Sequence, residues 1–190
     1  MQHTRVNPLF ARAVARMRTA AQPSVELCRM VHEEPHMPRL LRLADSIPAG
    51  PVQYHSGSVL RHLARVVDAV AGDPVAVWMG FVHDLGKLTT PSVLWPHHYG
   101  HELRGAAMAQ YFGELAGLPP ELVAAGCFCA CQHMRAGNYP HMRTSKRRQL
   151  IHAVETAGVS APFWKVVDAD RKAAVSALML QDLEVLRAAG

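Results

Sequence analysis

Residues 75–87 read VAVWMGFVHDLGK, and this stretch decides the fold. From Val75 the chain is apolar on nearly all sides until it reaches His83, which is typical of a helix buried in a protein core. Ionisable side chains such as His83 and Asp84 are costly at the end of a buried helix unless they are paired or coordinated. We therefore predict a central buried helix over 75–88 that carries a functional His-Asp pair.

The residues around this pair indicate a site for a metal ion and a phosphate group. Adjacent side chains on a helix diverge by about 100°, so they rarely act together. His83 and Asp84 could do so if both leaned toward a metal ion that lies above the helix between them. Lys87 follows His83 by four residues, which places both on one helix face. A lysine beside a metal ion suits a phosphate, and Gly86 has no side chain, which allows close approach at that spot.

The rest of the chain also predicts helices, because no stretch alternates polar and apolar residues with a period of two. We expect a single all-α domain with N-terminal helices over 1–54, a core over 55–175 and the end of the last helix over 176–190. The helices are predicted at 9–20, 25–33, 39–46, 55–71, 75–88, 101–115, 120–134, 145–156 and 162–188. A loop is predicted at 135–144.

Composition limits the class of protein further. The 190 residues are 49% apolar, which suffices for one packed domain, and no apolar run is long enough to cross a membrane. The first residues lead into no apolar segment, so we expect no signal peptide. The four cysteines, three of them at 127, 129 and 131, form no disulfide framework and suggest a reducing, cytoplasmic location. A zinc site formed by these cysteines with His133 is less favoured than small buried thiols.

The charge of the chain favours an anionic partner. The formal net charge is +5, and sixteen of the twenty basic residues are arginine. The arginine side chain suits forked recognition of phosphate and carboxylate groups. The surplus fits a nucleotide or an RNA. For the basic segment 135–148 a solvated helix start is the favoured interpretation, and a contact with an RNA backbone is the alternative.

Twelve histidines make a metal site worth considering, and several occur in recognisable motifs. His55 at the start of a helix, His83-Asp84, and Ala169-Asp170-Arg171 resemble the HD superfamily of metal-dependent phosphohydrolases. The segment 94–101, LWPHHYGH, together with His133, is more closely similar to the C-terminal HD domain of bacterial CCA-adding tRNA nucleotidyltransferases. This resemblance extends over residues 55–170.

The resemblance implies ligands, cofactor and chemistry. It implies one or two divalent metal ions, with Mg, Mn, Fe, Ni and Zn all compatible with nitrogen and oxygen ligands. It implies phosphatase, 2′-nucleotidase or 2′,3′-cyclic phosphodiesterase activity on a nucleotide or an RNA 3′-end phosphate. The implied metal ligands are His55, His83, Asp84 and Asp170, with His101 and His133 for a second ion. Asp84 would also hold the nucleophile, and the expected substrate contacts are Lys87, Arg104 and His98.

Two ligand assignments have alternatives in the sequence. His62 shares a helix face with His55 and could replace it, and Asp168 could replace Asp170. The sequence also departs from the CCA-adding enzymes, because Asp168-Ala169-Asp170 lacks the Gly-Ser that precedes the polymerase Asp-x-Asp. Some fifty residues that read as helices precede His55, so we expect no CCA-adding activity.

Two other functions are compatible with the same motifs. One is a hydrolase of dinucleoside polyphosphates or cyclic dinucleotides that uses two metal ions, for which full use of His101 and His133 would be the sign. The other is a non-enzymatic module that binds RNA or a nucleotide through the basic segment 135–148.

Overall fold

The computed structural model describes residues 5–53 and 57–188, with side chains placed as far as residue 185. In these ranges the chain forms nine α-helices and four short 3₁₀ turns, and an isolated bridge between Pro48 and Ser58 is the only β-type pairing. The prediction of an all-α domain is therefore confirmed. The helices are α1 (Pro8–Thr19), α2 (Pro23–His32), α3 (Val59–Ala69), α4 (Pro74–Val82), α5 (His101–Leu115), α6 (Pro120–Gly137), α7 (Thr144–Thr156), α8 (Ser160–Arg171) and α9 (Val175–Ala188).

Helix α4 forms the centre of the domain. Every residue from Ala76 to Val82 is buried, and the helix packs against α1, α3, α6 and α8. The indole Nε1 of Trp78 donates a hydrogen bond to the carbonyl oxygen of Leu122 at 2.8 Å, so the polar atom of this buried ring is satisfied. The buried central helix predicted from the sequence is present.

The central helix ends earlier than the sequence predicts. It stops at Val82, and the chain continues through His83 and Asp84 into a 3₁₀ turn over Leu85–Thr89. A Cβ atom at Gly86 would overlap the carbonyl oxygen of His101, so the backbone of α5 crosses directly over this turn. The shared helix face predicted for His83 and Lys87 is therefore wrong.

The C-terminal helix predicted over 162–188 is divided in two. Helix α8 ends at Arg171, because Lys172 adopts a left-handed conformation with a φ of 54°. The carboxylate of Asp168 accepts hydrogen bonds from the backbone N–H of Ser176, at 2.9 Å, and from its hydroxyl group. Asp168 is therefore used at the start of α9, whereas Asp170 points elsewhere.

Three further boundaries differ from the prediction. Residues Arg39–Asp45 form a 3₁₀ helix rather than an α-helix. Helix α3 begins at Val59, where the Ser58 hydroxyl caps it by accepting from the backbone N–H of Arg61. The segment predicted as a basic loop contains the end of α6 and a 3₁₀ turn over Tyr139–His141.

The N-terminal helices pack on the core. Helix α1 buries four apolar side chains, and the ring of Phe10 lies 5.6 Å from that of Phe112 in α5. The Arg16 guanidinium pairs with both Glu26 and Glu34, which joins α1 to α2 and to the residues that follow it. Across the ranges described above, no helix is both long and apolar enough to span a bilayer.

Asp73 caps α4, and we expect its replacement by alanine to lower the free energy of unfolding by about 1 kcal/mol near neutral pH. Its Oδ1 accepts from the backbone N–H groups of Val75 and Ala76, and its Oδ2 accepts from Lys165 Nζ at 2.8 Å. Partial burial opposes ionisation, but these three hydrogen bonds outweigh it and lower the pKa of Asp73 below its ordinary value. Denaturant unfolding of both proteins would measure the difference.

The lowered pKa sets the sign of the pH dependence. The stabilisation by Asp73 is complete well above the ordinary aspartate pKa of about 3.9, and it declines as the pH falls through the lower folded-state pKa. The gap between wild type and Asp73→Ala should therefore narrow on acidification below about pH 4. A gap that widens there would contradict the capping role.

Candidate metal centre

Five helices bring six histidine and aspartate side chains together in the interior of the domain. Helix α3 contributes His62, the end of α4 contributes His83 and Asp84, and α5, α6 and α8 contribute one residue each. Their ligand-type atoms form two groups of three, each compact enough to hold a metal ion. The groups are His62, His83 and Asp170, and Asp84, His101 and His133.

The first group lies between α3, α4 and α8. The Nε2 atoms of His62 and His83 are 3.1 Å apart, and Asp170 Oδ1 lies 3.2 Å from the former and 3.8 Å from the latter. Asp84 Oδ2 also faces this group, at 3.0 Å from His62 Nε2 and 3.4 Å from His83 Nε2. Four potential ligands therefore surround one small volume.

The second group shares Asp84 through its other oxygen. Asp84 Oδ1 lies 3.1 Å from His101 Nε2 and 3.4 Å from His133 Nε2, and the two nitrogen atoms are 3.3 Å apart. Asp84 is only 2% exposed. Its carboxylate thus lies between the two groups and can serve both.

The backbone fixes which nitrogen of three imidazoles faces the centre. Nδ1 of His83 donates to Gly80 O at 2.7 Å, and Nδ1 of His101 and of His133 donate to carbonyl oxygens at 2.7 and 2.9 Å. A neutral imidazole with its proton on Nδ1 presents a lone pair at Nε2. Lone pairs therefore face the first group from His83 and the second group from His101 and His133, and such an arrangement is favourable when a cation lies among them.

A buried acceptor supports the same conclusion. Asp84 Oδ1 is buried without a hydrogen bond from any residue in the described part of the chain, although imidazole nitrogen atoms surround it. This is expected if His101 and His133 both present lone pairs, because neither can then donate to it. The donor set of nitrogen and carboxylate oxygen atoms therefore fits a divalent metal ion.

Charges in the cluster keep its carboxylates ionised. Burial would raise the pKa of Asp84, but the Lys87 ammonium, 2.7 Å from Oδ2, holds it well below the ordinary value. For Asp170 the opposing effect of burial is likewise outweighed, mainly by the hydrogen bond from His62, and its pKa is lowered. Both groups can therefore act as anionic ligands at neutral pH.

His62 is held differently from the other three histidines. Its Nδ1 faces Arg65 Nη2 at 3.2 Å, and because a guanidinium only donates, this nitrogen accepts. Its Nε2 then carries the proton toward Asp170 and Asp84. Burial lowers the pKa of His62, but these two carboxylates outweigh it and raise the pKa overall. The other candidate for this position, His55, lies outside the described residues.

Arg65 links helix α3, which carries His62, to helix α8, which carries Asp170. Its Nη1 donates to Ala169 O at 2.5 Å and its Nη2 donates to Asp170 O at 3.2 Å, so one side chain from α3 binds the backbone of α8 beside Asp170. The sequence motifs do not indicate this residue. Its only local signal is the spacing of three residues from His62.

The three predicted substrate contacts have different surroundings. Lys87 is buried, and its Nζ lies 2.7 Å from both Asp84 Oδ2 and Ala49 O. His98 is buried and donates from Nε2 to Pro48 O at 2.8 Å, while burial lowers its pKa and keeps the ring neutral. Arg104 donates to Thr89, Thr90 and the carbonyl oxygen of Tyr99, and it is not part of the cavity lining. Its predicted contact with substrate has no support in this geometry.

A cavity of about 760 Å³ opens above the two groups. Its wall includes the carboxylates of Asp84, Asp170 and Glu102 and a larger set of cationic side chains, which favours an anionic ligand. It also contains His97 and Tyr99 from the 94–101 segment. The cations are Arg61, Arg65, Lys87, Arg171 and Lys172.

The cysteines belong to neither ligand group. Cys129 is fully buried in α6, and burial raises the pKa of its thiol. Cys127 is half-buried and directs its Sγ toward Ala106 O at 3.4 Å. These positions agree with small packed thiols.

The chain belongs to the HD domain family, since the model of that family matches residues 52–153. The fold and the His-Asp centre thus define a member of a superfamily of metal-dependent phosphohydrolases. The resemblance drawn from the sequence motifs is confirmed.

Curated relatives carry the same region as part of longer proteins. The chain is 33% identical over 111 residues to the Multifunctional CCA protein of Aromatoleum aromaticum, which covers 57% of this chain and 26% of that protein. It is 30% identical over 128 residues to the Multifunctional CCA protein of Alkalilimnicola ehrlichii, covering 66% and 30%. The protein of that name from Xanthomonas oryzae pv. oryzae is 29% identical over 140 residues, covering 70% and 34%.

The chain thus spans about a third or less of the length of these relatives. No solved structure matches it significantly.

Proposed function

We propose that this protein is a metal-dependent phosphohydrolase acting on nucleotide-type phosphomonoesters or 2′,3′-cyclic phosphodiesters. The observation that carries the proposal is the convergence of six histidine and aspartate side chains beneath a cavity with a cationic wall. The relatives named Multifunctional CCA protein support a nucleotide or an RNA 3′-end phosphate as the substrate class. Nucleotide addition to tRNA is not part of the proposal.

The metal ligands in this proposal are His83, Asp84 and Asp170, with His55 or, after loss of its Nε2 proton, His62 as the fourth. His101 and His133 would hold a second ion through the shared carboxylate of Asp84. A divalent ion bound here would supply hydroxide at neutral pH and would neutralise charge on a phosphoryl group. Backbone carbonyl oxygens hold Nδ1 of three of the imidazoles, which orients their Nε2 atoms toward the centre.

The remaining residues of the cavity bind and orient the phosphate. Lys87 places its ammonium group against Asp84 and within the cavity wall, where it can contact a phosphoryl oxygen. Arg61, Arg171 and Lys172 are exposed in the same wall and can attract the anion from solvent. His98 is neutral and can contact an uncharged part of the substrate.

The proposal includes RNA contact through the basic segment 135–148, but with only part of its basic side chains. Arg147 pairs with Asp182 at 3.1 Å and lies over the Tyr139 ring, and Arg135 donates to Lys146 O. These two arginines stabilise the end of the domain. Arg143, Lys146 and Arg148 are exposed and are the side chains that could contact an RNA backbone. A cytoplasmic location fits such a partner.

The second candidate function is a dinuclear hydrolase of dinucleoside polyphosphates or cyclic dinucleotides. It is favoured by one observation, namely that His101 and His133 form a complete second group with Asp84. Asp84, His101 and His133 would hold the second ion, which would add positive charge to stabilise a phosphoryl group during hydrolysis. The two candidates share the centre and differ in substrate.

Elemental analysis of the purified protein followed by a substrate panel tests both. The panel contains 2′,3′-cyclic AMP, 2′-AMP, diadenosine tetraphosphate and cyclic di-AMP, each assayed with five divalent metals in turn. Preferred turnover of the first two supports the main proposal, and preferred turnover of the last two supports the second candidate. Protein that retains no metal and hydrolyses none of the four would contradict both.

We expect Lys87→Met to lower kcat/KM for 2′-AMP by about 10²–10³ while metal stoichiometry stays close to that of wild type. Methionine keeps most of the buried stem and removes only the ammonium group, which contacts Asp84 at 2.7 Å. Lys165→Met, at a lysine that is 55% exposed, is the matched control and should leave turnover unchanged. Loss of metal in step with activity would show that Lys87 holds Asp84 rather than the substrate.

A further inference from the structure

Two aromatic rings lie at the mouth of the cavity with no role in the metal centre. The rings of His97 and Tyr99 are stacked, with centroids 5.6 Å apart and planes inclined by 10°. Both side chains line the cavity that contains Asp84, and Tyr99 is 72% exposed. Isolated exposed aromatic residues are common on protein surfaces, but a parallel pair at the mouth of a charged cavity is a more specific arrangement.

The backbone that carries this pair is firmly held. Between the two rings, His98 turns inward and donates to Pro48 O at 2.8 Å. On the far side, Arg104 Nη1 donates to Tyr99 O at 2.8 Å, and His101 Nδ1 donates to His98 O. The side chain of residue 98 is buried, whereas those of residues 97 and 99 are exposed. The pair is thus presented to the cavity by a segment tied to three neighbours.

We propose that Tyr99, supported by His97, is the stacking platform for the nucleobase of the substrate. A base stacks on an aromatic face with little dependence on its identity, and the paired ring beneath holds that face in place. The cationic side chains of the cavity wall and the proposed metal centre would bind the phosphate group, while the exposed face of the Tyr99 ring would stack on the nucleobase. The proposal rests on the proposed function for the phosphate end only, and it specifies nucleotides over phosphate esters that lack a base.

Kinetics with two substrates separate a platform from a structural role. For 2′-AMP, we expect Tyr99→Ala to raise KM by roughly 5- to 100-fold with little change in kcat. Glycerol 2-phosphate has a secondary phosphate ester but no base, so its kinetic constants should stay within about 2-fold of wild type. Tyr99→Phe keeps the ring and should retain the KM of wild type for 2′-AMP. Tyr111→Ala, at an exposed tyrosine of α5 outside the cavity wall, is the matched control.

Adenosine binding tests the platform without any phosphate chemistry. In proton NMR of the whole protein, comparison with Tyr99→Phe identifies the Tyr99 ring signals among the four tyrosines. Adenosine should move these signals upfield through the ring current of the base, and ribose should not move them.

The combined outcomes distinguish the two proposals. Upfield shifts without turnover of any phosphate ester would support the platform and contradict the phosphohydrolase function. Turnover of 2′-AMP with no adenosine-induced shift, or with equal losses on both substrates in Tyr99→Ala, would overturn the platform alone.

Discussion

Asp84→Ala is expected to abolish metal retention and to reduce kcat/KM for 2′-AMP by at least about 10²–10³. The carboxylate lies between the two ligand groups and has the Nε2 atoms of four histidines within 3.4 Å. Replacing Asp84 removes a ligand from both groups. Elemental analysis and 2′-AMP hydrolysis, measured on the same preparation, check the result.

A conservative variant separates charge from packing at this position. Asp84→Asn preserves the side-chain volume and removes the negative charge, so it should lose metal nearly as completely. Asp45→Asn, at a carboxylate that is 55% exposed, is the control and should keep metal and activity. Circular dichroism should show helical protein in all cases. Equal metal content in Asp84→Ala and wild type would refute the assignment of Asp84 as a ligand.

Gly86→Ala is expected to lower the free energy of unfolding by at least about 3 kcal/mol. A Cβ atom at this position would overlap His101 O and would lie 2.5 Å from the amide nitrogen of Gly105. Both are backbone atoms of α5, so relief requires the helix to move away from the 3₁₀ turn. Since α5 carries His101, we also expect weaker metal binding by whatever protein folds. Denaturant unfolding and elemental analysis measure the two effects.

Gly72→Ala provides the comparison for this prediction. Gly72 has a φ of +87°, and a Cβ atom there would meet nothing within 4 Å. Its replacement therefore costs only backbone strain, about 1–2 kcal/mol. If Gly86→Ala proved no more destabilising than Gly72→Ala, the close crossing of α5 over the turn would be contradicted.

The sequence predicts the class of fold well because its signals are local. The apolar run from Val75 to Val82 requires burial on all sides, and the structure places it at the centre of the domain. The sequence does not predict the end of that helix at Val82, because the end depends on a tertiary contact with α5. Nothing near Gly86 in the sequence shows that α5 crosses there, and apolar residues continue past His83 as far as Leu88.

The break between α8 and α9 has a similar explanation. Lys172 adopts a left-handed conformation that is typical of glycine, and no glycine or proline marks the position. The contact from Asp168 to Ser176 that begins α9 spans eight residues and is not a recognisable capping motif at that distance. The sequence pattern therefore predicts one continuous helix over 162–188, whereas tertiary contacts divide it into α8 and α9.

The motifs located most of the candidate centre. His83, Asp84, His101, His133 and Asp170 were all named from the sequence, and the structure brings them together. Side chains that act across long separations were harder to find. Arg65 donates to the carbonyl oxygens of Ala169 and Asp170, which follow it by 104 and 105 residues in the chain. No pattern along the chain indicates a contact over such a separation. Tyr99 was visible only as part of a motif, because ring stacking depends on the loop conformation.

The dispersal of the ligand side chains links metal supply to the survival of the protein. The candidate ligands span residues 62–170 and come together only when five separate elements have packed. An ion held there would bind the folded state alone, and free metal at 100 times its Kd would add about 2.7 kcal/mol to the free energy of unfolding. Metal starvation would then raise the unfolded fraction by roughly 100-fold, and cellular proteases would degrade the protein faster.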